Sequence, residues 1–587
     1  MYVSPVGFVR HALRVLFPLA LASTVYLYLY PIFLGCAFPL PADQTASVAF
    51  RSTIRQHANG GSPAADGIAP LRLLALGDPQ LEGDTSIPNA HRESSFPHIK
   101  SMIAQFSEPW SLRERSKRAT HELVDFYFED IPDTLESIRK RIDLFGNDFY
   151  LAHIYRTLRW WTKPSHVTVL GDLLGSQWID DEEFEKRSWR YWNRAFAGGE
   201  RVPDEVAAYP SEQYDLAGYV GPLGKDAALW EKRIINIAGN HDVGYAGDLT
   251  VERLERFERV YGKAAYELRF ELPITNATTN ATLFDADQNP ESVRLVPELR
   301  IVVINDMNLD TPACTPELQD KTYAFVNDLI NTATAVEFKG HFTLALTHIP
   351  LHKPEGICVD APFFDFHPSD QGGGVKEQFM LSADASKGFL EGLFGLNGDS
   401  NAPGNGMGRH GVILNGHDHE GCDTWHYINQ TVDMPPDQRK WEVMRWGQAK
   451  NDKVPGKPGL PGLREITVRS MMGGFGGNAG LFSAWFDEEE WEWRYEYTTC
   501  ALGKQTWWWA VHIIDLIAII AVLIYGGLKA ASAAGVDVEK WPSCIASKFS
   551  RAPVLSTSNG HVPGTKSDIR VEKKPVVYVG NGNAKRG

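Results

Sequence analysis

The chain has 587 residues and 65.5 kDa, is 43% hydrophobic and 22% charged, and so reads as one large globular domain with additions, or two or three ordinary ones. A formal net charge of −15 argues against nucleic acid as a partner, because phosphate contacts need a basic face. Seventeen Trp and 11% aromatics suit a membrane-proximal or carbohydrate-facing protein, or an aromatic core.

Residues 1–12 form a short head containing Arg10 and His11. The apolar run 13–40 is long enough to cross ~30 Å of hydrocarbon at ~1.5 Å per residue and is expected as a transmembrane helix. A cleaved signal peptide is the alternative, with Gly35 and Ala37 offering a processing site, but the run exceeds a signal core of ~7–15 residues. Residues 41–68, rich in Ala, Gly, Ser and Pro, read as a linker, and 69–500 as the catalytic domain.

A second apolar run, 507–528, is expected as another transmembrane helix, and 529–587 as a disordered tail. Arg10, His11 and Arg14 lie at the outer end of the first span, and Lys529, Lys540, Lys548 and Arg551 at that of the second. The positive-inside rule then puts both termini in the cytosol and 69–500 in the lumen. Asn276, Asn280 and Asn429 each begin an Asn-x-Thr triplet, a glycosylation acceptor on that side. Cys314, Cys358, Cys422 and Cys500 lie between the spans and allow up to two disulfides in three pairings, or four free thiols.

Within the catalytic domain, short apolar runs at 71–76, 167–170, 234–238, 342–346 and 412–414 read as buried strands, with helix-like stretches such as 112–128 and 180–197 between them. That alternation is an α/β arrangement, which collects ligands at strand ends. The ends deliver Gly77-Asp78-Pro79-Gln80, Gly171-Asp172, Gly239-Asn240-His241-Asp242, His348 and Gly416-His417-Asp418-His419. Asp, Asn and His donors suit divalent Mn²⁺, Fe²⁺ or Zn²⁺, and the absence of cysteine excludes a structural zinc site. Two metals ~3.5–4 Å apart can clamp a phosphoryl group and supply a hydroxide nucleophile. An Asp after an apolar run is usually a turn or cap. Five such elements in this order are not.

The order resembles that of the calcineurin-like metallophosphoesterase superfamily: Asp-x-His, Gly-Asp-x-x-Asp, Gly-Asn-His-Asp or -Glu, a lone His, then Gly-His-x-His. The resemblance implies a metallophosphoesterase-type sandwich of mixed β-sheets flanked by helices, here with one transmembrane helix at each end. It implies that Asp78 and His419 hold a first metal, Asp172 bridges, and Asn240, His348 and His417 hold a second. His241 would sit over the phosphate, stabilising developing charge or protonating the leaving oxygen, with Asp242 orienting its imidazole. Gln80 stands where the first motif has His, so the first metal would receive an amide oxygen or lose a ligand, which would favour Mn²⁺ or Mg²⁺ over Zn²⁺. Gly175 replaces the second Asp of Gly-Asp-x-x-Asp; Asp180 and Asp181 lie close by, where a capped helix start also fits. The stretch 471–478 could line the site or form a glycine-rich turn.

Within the superfamily the chain resembles the endoplasmic-reticulum branch that remodels glycosylphosphatidylinositol (GPI) anchors, with its fungal cell-division-control and p24-dependent-cargo-trafficking members. The Pro79-Gln80 pair and the Gly-Asp-Leu-Leu-Gly-Ser-Gln-Trp segment carry that likeness. It implies removal of ethanolamine phosphate from a GPI mannose, the second by preference, on a GPI lipid or GPI-anchored protein, with p24 cargo receptors as further partners. Another luminal phosphodiesterase or phosphatase, or a non-catalytic trafficking module with a decayed metal site, are the alternatives.

Overall fold

A computed structural model describes residues 4–41, 45–58, 67–90, 92, 94–105, 107–208, 219–224, 226–272, 296–358 and 363–540. Residues 16–518 form one compact unit, and residues 1–15 with 519–587 another. The described part of the second unit, 4–15 and 519–540, consists mainly of the outer turns of two helices.

The apolar runs become two mixed sheets. In the first, Leu71–Leu76 pairs in parallel with His166–Val169, which pairs in parallel with Arg233–Asn236. On its other side Leu71–Leu76 meets Asn478–Asp487 in antiparallel register. The second sheet has a parallel centre of Glu298–Val303, His341–Leu346, His410–Asn415 and Gly462–Thr467. Antiparallel neighbours Tyr266–Glu271 and Cys422–Ile428 flank that centre.

Alternation along the strands decides what each face buries. Leu71, Leu73 and Ala75 point between the sheets, against Leu299, Ile301, Leu344, Leu346, Val412 and Leu414. Leu74 and Leu76 point outwards into a second core beneath Tyr150, Leu151, Ile154 and Leu158 of the long helix Ile131–Thr162. Both sheets are thus covered on two faces, which is why their parallel strands read as continuous apolar runs. The expected α/β sandwich of mixed sheets flanked by helices is the architecture observed.

The stretch 180–197 resolves into Asp181–Arg190, whose N-cap Asp180 accepts from Glu183 N at 2.8 Å, followed by a π-turn, Tyr191–Ala195. Asp180 is therefore a cap, not a stand-in for the Asp missing at 175. The stretch 112–128 becomes Leu112–Asp125, with a Ser111/Glu114 capping box, and runs through a π-turn into Ile131–Thr162.

Several boundaries differ from the sequence reading. The first helix is Pro5–Tyr28, not 13–40, so Arg10, His11 and Arg14 lie inside it. A single turn, Tyr30–Phe33, follows; Gly35, at φ 68°, then takes the chain out of helical conformation. The last helix is Gln505–Ala533. Both helices are long and apolar enough to cross a membrane, and protein covers few of their residues. Thr24 of the first donates to the Asp515 carboxylate of the last at 2.8 Å.

The expected linker contains a helix, Ala46–Ala58, that packs on the domain. Its His57 ring stacks on Trp161, centroids 5.0 Å apart, and bonds the Trp161 carbonyl at 2.9 Å. An Ala- and Ser-rich stretch is as compatible with a packed helix as with a linker.

Cysteine pairing also departs from expectation. Cys36 pairs with Cys500 and Cys358 with Cys422, while Cys314 is free and exposed. Cys36, read as part of the first span, lies beyond the helix end and so reaches the strand Glu492–Ala501. Asn429 sits half-exposed in a turn, its side-chain oxygen accepting from Thr431. Asn276, Asn280 and the tail from 541 lie outside the described residues.

Candidate active site

The strand ends converge where the C-terminal edges of the two sheets meet. Asp78 (φ 43°), Gln80 (φ 40°), Asp172 (φ 51°) and His417 (φ 70°) all adopt left-handed backbone, uncommon for residues with a side chain and concentrated here at one place. Gly171 and Gly239 allow the loops to close. A Cβ at 171 would fall 2.2 Å from His348 Nδ1, and one at 239 would fall 2.2 Å from Asp172 N.

Two groups of donor atoms share Asp172. Asp172, His348 and His417 form one, and Asp78, Asp172 and His419 the other, the atoms within each lying within 4.8 Å of one another. Asn240 joins the first: its Oδ1 is 3.0 Å from both His348 Nε2 and His417 Nδ1. The far nitrogens of these rings are committed elsewhere. His348 Nδ1–H donates to the Leu170 carbonyl at 2.7 Å, and His417 Nε2–H to the Gln378 carbonyl at 2.8 Å. Such outer hydrogen bonds fix the tautomer and leave the inward nitrogen bare. Burial holds both imidazoles below their usual range, His417 down to about 3, so the inward atoms carry no proton.

The inward atoms of Asn240, His348 and His417 are thus acceptors that face one another. Asp78 Oδ2 is fully buried without a hydrogen-bond partner, and burial together with the Asp172 charge pushes the Asp78 carboxyl well above its usual range. Burial also raises Asp172, but the imidazoles of His348, His241 and His417 outweigh it and hold that group at about 2. Adjacent bare acceptors and buried carboxylates are what divalent cations satisfy. The expected residues other than Gln80 therefore fit the role of ligands, with Asp172 common to both groups.

Gln80 reaches the cluster with the wrong atom foremost. Its amide nitrogen donates to Asp172 Oδ2 at 2.9 Å and lies 3.2 Å from His419 Nε2, so it holds the shared carboxylate instead of presenting an oxygen. Asp242 needs a second correction. Its carboxylate accepts from Gly239 N, Leu173 N and Leu174 N at 2.9–3.1 Å, clamping two site loops together. Among the described residues His241 Nδ1 has no hydrogen-bond partner, so Asp242 positions backbone and not the imidazole. The His241 backbone N–H donates to Asp172 Oδ1 at 2.9 Å, and its Nε2 lies 3.9 Å from Asp172 Oδ2.

Other residues hold the loops. Asp306 accepts from His348 N and Ile349 N. Glu465, fully buried, binds Leu351 N, the Asn415 side chain, His426 Nε2 and Lys353 Nζ, which joins the loop after His348 to the strand that leads to His417. The Cys358–Cys422 bridge ties the loop after His348 to the start of the strand Cys422–Ile428, just beyond His419. Sequence carried a signal for one of these: Asp306 follows an apolar run, as the ligands do.

The donors open into a cleft of about 800 Å³ that also touches Trp178, Tyr245, Phe379 and Phe475. Trp178 is 61% exposed at its rim, with the Arg253 guanidinium 4.4 Å above the ring. Phe475 packs edge-on against His419 at 4.9 Å, so the glycine-rich stretch 471–478 does line the site. A cleft of about 930 Å³ elsewhere, bordered by Arg409, Trp425 and Glu492, contains none of these donors.

No protein-family model matches the chain. It is similar to Protein TED1 of Saccharomyces cerevisiae, 29% identical over 551 residues that cover 85% of this chain and 95% of that protein. An uncharacterised protein of Schizosaccharomyces pombe is 25% identical over 403 residues, covering 65% of this chain and 81% of its own length. Metallophosphoesterase 1 of Danio rerio is 21% identical over 295 residues, 49% of this chain and 60% of that protein. Likeness to a metallophosphoesterase thus meets a fold and a donor arrangement of the same kind, and it supports the calcineurin-like superfamily reading of the motif order.

Proposed function

We propose that the chain is a two-metal phosphodiesterase that removes ethanolamine phosphate from a GPI-anchor mannose, the second by preference, at the luminal face of the endoplasmic-reticulum membrane. The observation that carries the enzymatic part is Asp172, shared by two donor groups with His241 against it. Asp78 and His419 would hold one ion and Asn240, His348 and His417 the other, with Mn²⁺ proposed and Fe or Zn as substitutes, all of which accept mixed oxygen and imidazole donors. When bound, such ions supply Lewis-acid polarisation of the phosphoryl group and a nucleophile at neutral pH.

The chain's own residues do the rest. The P–O bond to the mannose oxygen breaks as water adds to phosphorus, giving a free sugar hydroxyl and ethanolamine phosphate. His241 Nε2, on the cleft side, delivers the proton to the leaving sugar oxygen. Gln80 Nε2–H steadies Asp172, and the exposed Trp178 ring offers a flat face to a sugar next to the reacting centre.

The two long apolar helices and the acidic balance support a lipid-linked substrate over nucleic acid, because confinement to one surface raises effective concentration. In this reading both termini are cytosolic, and p24 cargo receptors meet the enzyme through its GPI-anchored cargo. Mass spectrometry of GPI glycans from cells lacking the gene tests it. An extra ethanolamine phosphate on the second mannose is expected; unchanged glycans would overturn the substrate assignment.

A further inference from the structure

The helix Ile131–Thr162 carries two kinds of surface on one side. Towards its C-terminal half that side meets the roots of the two long apolar helices. Gly146 lies so close to the Trp509 indole that a Cβ there would fall 1.8 Å from it. Tyr150 donates to the Gly503 carbonyl at 2.5 Å, and the His153 ring packs edge-on against Tyr28 at 4.9 Å. The Cys36–Cys500 disulfide binds the same two roots together.

Towards the N-terminus that side is apolar and exposed, and the Arg194 guanidinium lies 5.7 Å over Phe145 and 6.0 Å over Phe149 where it meets the C-terminal half. Leu135 (62% exposed), Ile138 (50%), Ile142 (56%), Phe145 (53%) and Phe149 recur at intervals of three and four, which lines them along one stripe of an α-helix. At 100° per residue the stripe leads into the positions of Gly146 and His153. Tyr127 and Phe128, also exposed, extend the apolar surface upstream. From Leu135 to Gly146 the stripe runs about 17 Å along the helix axis. A run of large apolar side chains left in water would be costly, and monomeric proteins seldom keep one without use.

We propose that this stripe lies on the bilayer, in the headgroup and upper acyl region beside the two spans. The inference rests on reading Pro5–Tyr28 and Gln505–Ala533 as membrane-spanning. The continuity of the face chooses lipid over a protein partner. The side that holds the span roots at residues 146–153 looks towards the membrane there, and beyond the roots the same side meets what surrounds them. Arg139, paired with Glu136 at the edge of the stripe, keeps its charge in the headgroup layer. The helix then acts as a foot that keeps the domain lying on the surface carrying a lipid-linked substrate.

Full-length protein reconstituted in phosphatidylcholine bilayers tests this. Cys314→Ser and Cys544→Ser remove the background thiols, and an environment-sensitive fluorophore is placed on Ile138→Cys or Ile142→Cys, with Glu136→Cys as the control. Brominated acyl chains should quench most of the emission at 138 and 142 and little at 136, whereas aqueous iodide should do the reverse. Iodide quenching at 138 and 142 would overturn the inference, and so would shielding from both quenchers, which would mean that a second copy or another protein covers the stripe. Alkaline carbonate extraction of native membranes checks the spans separately. A chain that washes off refutes the spanning reading, whereas one that stays while iodide reaches residue 142 refutes only the foot.

Discussion

His241 gives its backbone N–H to Asp172 Oδ1 at 2.9 Å and holds its imidazole Nε2 3.9 Å from the other oxygen of the same carboxylate. One residue thus helps to orient the shared carboxylate and stands where a leaving oxygen would need a proton. The two contributions are separable, because the first uses the main chain and the second the ring. His241→Ala should keep divalent-metal content near that of the native chain and lower turnover of an aryl phosphodiester by ~10²–10⁴-fold. Loss of metal in this variant would make the imidazole a ligand and refute the role given to it.

The buried Glu465 network should be sensitive to the removal of one charge alone. Lys353 is 1% exposed, and its Nζ lies 2.7 Å from Glu465 Oε2. Glu465→Gln leaves that ammonium without its anion, which should cost ~3–5 kcal/mol in denaturant unfolding. Removing both charges while keeping an oxygen for the other donors, as Lys353→Met with Glu465→Gln, should cost less than Glu465→Gln alone. A double variant at least as damaged as the single one would show that the pair does not act through charge burial.

Stability should fall in mild acid through histidines remote from the metal ligands. Burial lowers His166 to about 3, with Arg72 adding to the effect, and lowers His341 to about 4, with Arg269 and Arg300 adding. Both are bases whose folded pKa lies below the unfolded value of about 6.5. Between those values the unfolded chain binds the proton and the folded chain does not, so this stability is complete above about pH 6.5 and is lost as pH falls towards about 4. Each histidine contributes a slope of up to about 1.4 kcal/mol per pH unit. His166→Gln should flatten the dependence by one such contribution; a variant with the native slope would contradict the assignment.

Much of this site was legible in the sequence because the candidate donors sit where strands end, and apolar runs of three to six residues mark strand ends without knowledge of their pairing. Asp172, Asn240 and His348 appear where those runs stop. Atom-level roles were not legible. Gln80 and Asp242 carry the right chemistry for a ligand and an orienting acid, but which neighbour each meets depends on how loops distant in sequence close. The Cys36–Cys500 bond, 464 residues long in sequence, was hidden because Cys36 sits at the end of an apolar run whose turn at Gly35 composition does not reveal. The apolar foot was missed because, without the fold, an amphipathic helix gives no sign of which stripe the core will cover.

Peptide mapping without reductant should recover one cross-linked pair containing Cys36 and Cys500 and another containing Cys358 and Cys422. An alkylated Cys314 should accompany them. Such bonds persist in an oxidising compartment, so the map also bears on which side of the membrane the domain occupies. Alkylation of Cys36 and Cys500 in native membranes would contradict both the pairing and that placement.

The claim that organises the site is that Asp172 serves two metal ions at once. Elemental analysis of the full-length protein loaded with Mn²⁺, alongside an aryl phosphodiester assay of the same samples, tests it most directly. The native chain should hold two ions and cleave the ester, and Asp172→Asn should lose both ions together with the activity. An Asp172→Asn protein that retains its metal and cleaves at the native rate would contradict the account.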